Sequence, residues 1–321
     1  MQTQFTHKFR INRPIAQGGM GGVAGPKLVA AVANAGGLGI LPIWPQSPDA
    51  ARASIEQTQS LTDRPFAVNL RADLQQIVLI ETALAAGIKL FNLFWGDPAA
   101  SMPTIAAGEG RLIATVGDLA AARHAVNVGA AALIAQGVEA GGHVLGETPC
   151  GALLDQLIKA ALGVPIIAAG GLATAADVAR VMAKGADAAL LGTRFVVAEE
   201  STAHPAYKQA IIAAASGSTV RTTCFDGMWP DAPHRVIRNS TYEAWHAAGC
   251  PPEGERPGEG DPILTLRNNT HLPRYFVATP SDGMSGTIEA SAMYAGTGLG
   301  AITAIEPAAD IVADLVSLLE D

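Results

Sequence analysis

Short apolar runs, often β-branched, recur along the first two-thirds of the chain. Each stops at Gly, Asn or Gln before an alanine-rich stretch with helical spacing. The runs are Pro14–Gln17, Leu38–Leu41, Phe66–Leu70, Leu90–Phe94, Leu112–Val116, Ala131–Gln136, Pro165–Ala169 and Ala188–Gly192. Runs of this length bounded by turn formers read as buried strands. Between them, Pro26–Ala35, Gln75–Ala86, Leu119–Val128, Leu153–Ala161 and Ala175–Lys184 read as helices. Gly36, Gly87, Gly129 and Gly185 follow four of these stretches, where a glycine closes a helix in the left-handed conformation at low cost. Eight strand–helix units predict a (β/α)8 TIM barrel. The alternative is an open doubly wound sheet, which carries a Gly-x-Gly-x-x-Gly turn after its first strand. Here the first strand runs instead into Gly18-Gly19-Met20-Gly21-Gly22.

The regular pattern breaks near residue 198. Up to about residue 290 the text is rich in proline and loops, as in Gly249–Gly260, and predicts a smaller, partly helical second domain or lid. Regularity returns at Ile288–Ala295 and Ala308–Leu319. Ile311, Val312, Leu315, Val316 and Leu319 make a helical stripe that suits a closing helix packed on the barrel. The expected division is therefore a barrel over 1–198 completed by 290–321, with 199–289 as the smaller unit.

Composition narrows the function classes. Of 321 residues, 49% are hydrophobic and 16% charged, with a net charge of −8. That balance speaks against nucleic acid and anionic membranes, which favour basic surfaces. No apolar run is long enough to span a bilayer, and the first residues lack the apolar core of a secretion signal. Cys150, Cys224 and Cys250 lie far apart with no Cys-x-x-Cys spacing. They read as buried or incidental thiols of a reducing cytoplasm rather than as disulfides or zinc ligands. No His/Asp/Glu grouping has metal-ligand spacing, so no metal is expected.

In a barrel the strand ends converge on one face and build the site there. Those ends carry Gly19, Met20, Asn69, Thr115, Gln136 and the turn that follows it, and the pairs Gly170-Gly171 and Gly192-Thr193. The two successive glycine-rich endings at strands 7 and 8 suit a phosphate, bound by backbone N–H groups with help from a nearby helix N-terminus; one such ending alone would read as a tight turn. Asn69 emerges from an apolar run and either meets a ligand or caps the next helix. Phe91–Gly96 is bulky and aromatic, and reads as a pocket wall or as core. Residues 136–146, Gln-Gly-Val-Glu-Ala-Gly-Gly-His-Val-Leu-Gly, hold one imidazole, His143, beside two adjacent glycines. A histidine at a barrel strand end can act as a base near neutral pH, whereas the other six histidines read as structural.

These motifs resemble the nitronate monooxygenase family, also called 2-nitropropane dioxygenases, which are FMN-dependent (β/α)8 enzymes. The matching text is Gln17–Met20, Ala33–Gly39, Pro65–Leu70, Gln136–His143, Ala168–Gly171, Gly192–Phe195, Arg235–Asn239 and Tyr294–Gly296. The resemblance implies that Gly19, Met20, Asn69, Gln136 and Gly141 line FMN, while Ala169, Gly170, Gly171, Gly192 and Thr193 hold its phosphate end. It implies that His143 is the catalytic base, removing the proton α to a nitro group or orienting a nitronate. The expected reaction is oxidation of alkyl nitronates, such as propionate 3-nitronate, or nitroalkanes with O2 to carbonyl compounds and nitrite, by a monomer or homodimer. The wider group includes FMN-dependent NAD(P)H oxidoreductases acting on quinones or enoyl thioesters, and that is the second reading. A non-catalytic barrel holding a phosphorylated metabolite is the third. Two stretches depart from the commonest family text. Gly18–Gly22 stands where an Ala-Pro-Met-Ala type of turn is usual, and Thr297-Gly298 where Gln-Ser often follows the glycine.

Overall fold

The computed structural model describes residues 2–319. Six strands alternate with helices over the first 136 residues: β1 (Ile15–Gln17), β2 (Ile40–Pro42), β3 (Ala67–Arg71), β4 (Leu90–Phe94), β5 (Arg111–Val116) and β6 (Ala132–Gln136). A two-residue strand, β7 (Gly142–His143), interrupts the series before β8 (Ile166–Ala169) and β9 (Ala188–Leu191). All but β7 join one parallel sheet in the order β1-β9-β8-β6-β5-β4-β3-β2. The ring closes through a parallel bridge between Ala16 and Leu38, where Gln17 N–H donates to the Leu38 carbonyl at 2.9 Å. The closed eight-strand ring is the TIM barrel that the sequence pattern predicts, and every predicted strand appears within two residues of its expected ends.

Two apolar layers hold the barrel. Inside, small and branched residues such as Ala16, Ile40, Ala67, Ile113, Ala132 and Ile167 fill the ring. Phe5 and Phe9 belong to this inner layer. They project from an N-terminal helix, Gln4–Phe9, that plugs the N-terminal strand ends and that the sequence reading did not include. Outside, strand residues pack on the helices, and Ile311, Val312 and Leu315 of the last helix join that shell. This closing helix spans Ala308–Leu315, shorter than expected, and the Ile288–Ala295 stretch holds only a single 3-10 turn, Ile288–Ala290. A further unpredicted helix, Pro48–Leu61, starts at the Ser47 cap.

Residues 199–289 carry helices Pro205–Ala213 and Ser240–Ala247 and five strands: β10 (Thr219–Thr222), β11 (His234–Ile237), β12 (Pro262–Thr265), β13 (His271–Pro273) and β14 (Ser285–Gly286). β11 pairs antiparallel with β10 on one side and with β7 on the other. The segment that carries His143 is thus the edge of a sheet built mainly from residues more than 70 positions later. Among the described residues, no helix is long and apolar enough to cross a membrane.

Candidate active site

The C-terminal strand ends open into a cavity of about 610 Å3. Gly19, Met20, Asn69, Gln136, Gly141, His143, Ala169, Gly170, Gly171, Gly192 and Thr193 all border it. An open recess of about 750 Å3 lies at the other end of the barrel, around His7, Lys8, Arg10 and Arg111. Its larger volume carries no weight against the first, because it lies at the strand starts, the face that serves stability rather than chemistry.

Asn69 does not cap a helix. Its register partner on β4 is Asn92, and Asn69 Nδ2 donates to Asn92 Oδ1 at 2.9 Å. Asn92 Nδ2 donates in turn to Thr115 Oγ1 at 3.1 Å. The three side chains form a polar relay across β3, β4 and β5 inside an apolar ring, so each buried amide finds the partner that burial demands. Gly19 lies against this relay: a Cβ there would sit 2.7 Å from Asn69 Cβ.

Gln136 uses both ends of its amide, on its own chain. Nε2 donates to the His143 carbonyl at 3.0 Å, and Oε1 accepts from Leu145 N–H at 3.0 Å. It therefore clamps the His143 segment to the end of β6. Gly141 passes so close to the C-terminal loop that a Cβ would lie 2.6 Å from Gly296 N. Thr193 Oγ1 accepts from that same Gly296 N–H at 3.0 Å.

At the phosphate-type turns, the helix after β8, Ala175–Ala183, turns its N-terminus inward on itself. Thr174 and Asp177 form a capping box, and Asp177 Oδ2 accepts from Ala173 and Thr174 N–H at 3.1 Å each. The capping box thus takes up the amides of Ala173, Thr174 and Asp177 around this helix start. The free donors lie elsewhere. Among the described residues the N–H groups of Gly171, Gly192 and Thr193 make no hydrogen bond, and all three residues border the cavity.

His143 sits between aromatic neighbours. Its ring stacks on Trp229 with centroids 3.8 Å apart and planes 17° from parallel, and Trp95 meets it edge-on at 5.9 Å. Nε2 is buried and has no hydrogen-bond partner. Burial, then the neighbouring His234 and the Arg71 cation, lower its pKa to about 2, so the imidazole is neutral at any ordinary pH. His234 lies 5.3 Å away, fully buried. Its Nε2 accepts from Phe225 N–H and its Nδ1 lies 2.9 Å from the Ala232 carbonyl, an arrangement that fits the neutral Nδ1–H tautomer. Burial holds its pKa down at about 4.

The Phe91–Gly96 stretch divides its roles. Phe91 is core, whereas Phe94 borders the cavity. Arg71, Trp44 and Trp229 complete the wall and were not singled out in the sequence. Arg71 lies two residues beyond Asn69 on β3 and so shares its face, a signal that was available. Trp229 lies in irregular text with no periodic signal.

The strand ends thus bring together a neutral imidazole, unpaired N–H donors and a largely apolar cavity. The family model described as nitronate monooxygenase matches residues 2–91 and 96–317. A (3aS,4S,5R,7aS)-5-hydroxy-7a-methyl-1-oxo-octahydro-1H-indene-4-carboxyl-CoA dehydrogenase of Mycobacterium tuberculosis is 35% identical over 246 residues, 76% of this chain and 68% of that protein. A nitronate monooxygenase of Pseudomonas aeruginosa is 30% identical, with 99% of both chains covered. Among solved structures, FabK from Thermotoga maritima superposes with a TM-score of 0.82 at 29% identity, covering 99% of this chain and 96% of the other. The match runs from the N-terminal plug to the closing helix, and the chain belongs to the nitronate monooxygenase family of oxidoreductases.

Proposed function

We propose that this protein is an FMN-dependent nitronate monooxygenase of the cytoplasm that oxidises alkyl nitronates, propionate 3-nitronate among them, with O2 to carbonyl compounds and nitrite. The carrying observation is His143, a neutral imidazole whose Nε2 is buried without a partner at a cavity that also holds the Arg71 cation. The cavity fits FMN by its own chemistry. The free N–H groups of Gly171, Gly192 and Thr193 would hold the phosphate, with Ala169 and Gly170 shaping the turn. Gly19, Met20, Asn69 and Gly141 would border the rest of the cofactor. Gln136 would do so while holding the His143 segment. When bound, FMN supplies a redox centre that takes electrons from the substrate and passes them to O2.

His143 has the one acid–base task. With a nitroalkane it accepts the α-proton; with a nitronate it orients an anion that has already lost it. An imidazole pushed down to a pKa of about 2 is a weak base, and base strength matched to the operating pH drives proton transfer. Nitronates therefore suit this site better than nitroalkanes. Residues 199–289 act as a cover unit over the barrel of 1–198 and 290–321, because β11 supplies the strand to which β7 pairs.

The test is nitrite release and O2 uptake by the yellow, FMN-loaded protein on ethyl nitronate and propionate 3-nitronate. Oxidation of neither sinks the proposal. The second reading, an NAD(P)H oxidoreductase acting on thioesters, draws on the apolar mouth, where Met228 is 79% and Leu74 48% exposed, and on the CoA dehydrogenase relative. Rapid anaerobic flavin bleaching by NADH or NADPH, with no nitrite from nitronates, would establish it instead.

A further inference from the structure

We propose that Arg71 and the indole N–H of Trp229 bind the anionic oxygens of the substrate beside His143, which makes Arg71 the residue that selects an ionised substrate. The inference rests on reading the 610 Å3 cavity as the substrate site.

Arg71 is buried, with its side chain 8% exposed. Nε and Nη2 donate to the two oxygens of Asp73 at 3.0 and 2.6 Å, which uses one edge of the guanidinium fork. Nη1 makes no hydrogen bond among the described residues, and Arg71 borders the cavity. The guanidinium carbon lies 3.3 Å from the centroid of the Trp229 ring. Trp229 is only 6% exposed, and its Nε1 is buried with no acceptor. Against the same indole stacks His143, with Nε2 equally unpartnered.

One buried indole therefore gathers a cation with a spare donor, an N–H with no acceptor and an imidazole nitrogen with no partner. Buried polar atoms are almost always satisfied in folded proteins, and a cluster of exceptions at a cavity calls for a ligand. Arg71 Nη1 and the indole N–H call for acceptor oxygens, and the guanidinium favours negative charge on them. A planar group with two oxygens matches the guanidinium fork. Nitronates and carboxylates share that chemistry; a neutral nitroalkane lacks the charge. The cation also disfavours a proton on His143, in keeping with a site built for substrates that arrive deprotonated.

The experiment is anaerobic titration calorimetry of the FMN-loaded protein with ethyl nitronate, acetate and nitroethane at constant ionic strength. We expect both anions to bind at least about tenfold more tightly than nitroethane. Arg71→Met should weaken both by about 10- to 100-fold and weaken nitroethane by a clearly smaller factor. Trp229→Phe keeps a ring against His143 and removes only the donor, so it should weaken the anions by roughly three- to tenfold. Anion affinities equal to the parent's in Arg71→Met overturn the proposal. If that variant does not fold, unchanged affinities in Trp229→Phe overturn it. Acetate binding that depends on Arg71, in a protein that oxidises no nitronate, sustains the anion site and refutes the proposed reaction. Nitronate turnover with an unaltered KM in Arg71→Met does the reverse.

Discussion

Acidification should expose the two buried histidines as a stability cost of predictable size. His143 and His234 are held neutral, with pKa values lowered from 6.5 to about 2 and about 4. In the unfolded chain both return to the ordinary value. Below about pH 6.5 the unfolded state then binds protons that the folded state refuses, so stability falls as pH falls. Their contribution is complete above 6.5 and is lost progressively toward the folded values. At about pH 5 each ring costs about 2 kcal/mol, so the pair removes ~4 kcal/mol relative to about pH 8. That is a large fraction of an ordinary folding free energy. Urea unfolding of the FMN-loaded protein across this range measures it. The His143→Gln, His234→Gln double variant should show a pH dependence flatter by ~4 kcal/mol, because it removes both of these rings. Histidine ring NMR checks the cause directly, since neither resonance should titrate between about pH 5 and 8. A ring that titrates near 6.5, or a double variant with the parent's pH slope, would refute the reasoning. The same neutrality predicts that kcat/KM on nitronates shows no ionisation of His143 in this range.

Other parts of the site give further expected outcomes. Gly171 has φ of +71°, and a Cβ there would meet Thr297 Oγ1 at 2.9 Å and Glu139 Cβ at 3.0 Å; Gly171→Ala should cost about 1–3 kcal/mol and weaken FMN retention at least about tenfold, read by fluorescence of released flavin. Gln136→Leu removes the clamp on the His143 carbonyl and the Leu145 amide. Hydrogen exchange at Leu145 should quicken by an amount equivalent to about 1–3 kcal/mol, and nitronate turnover should fall with FMN still bound. Lys208 buries an ammonium that donates to the carbonyls of Ala198 at 2.6 Å and Ser201 at 3.1 Å. Lys208→Met leaves the Ser201 carbonyl without a donor, while Ala198 keeps the Ser201 N–H, so the urea midpoint should drop by the equivalent of about 1–3 kcal/mol.

The barrel was legible because its signals are local. Each strand is an apolar run that ends in a turn former, and Gly36, Gly87, Gly129 and Gly185 all take positive φ after their helices. The Gln4–Phe9 plug escaped notice because its only mark is the pair Phe5 and Phe9, four residues apart, too short a stretch for periodicity to register. The Pro48–Leu61 helix is mostly polar and buries only Ala51, Ile55 and Thr58, so its face carries little apolar signal, although Ser47 and Pro48 announce its start. Glycines at the cavity were legible for a related reason: where backbone must approach backbone, as at Gly141 against Gly296, only a missing Cβ permits it.

His143 illustrates the other kind of information. Its position next to Gly141-Gly142 marks it in the sequence, but its chemistry is set by residues far along the chain. β7 is two residues long and has no strand propensity of its own; it exists because His143 and Gly142 pair with His234 and Arg235 of β11. That pairing brings His234 within 5.3 Å and places Trp229, from the turn before β11, flat on the imidazole. Burial by these neighbours is the largest cause of the lowered pKa. A histidine on a solvated barrel loop would titrate near 6.5 and serve as an ordinary base. The irregular region, which carries little recognisable pattern, is what turns this one into a neutral group better suited to orienting an anion than to generating one.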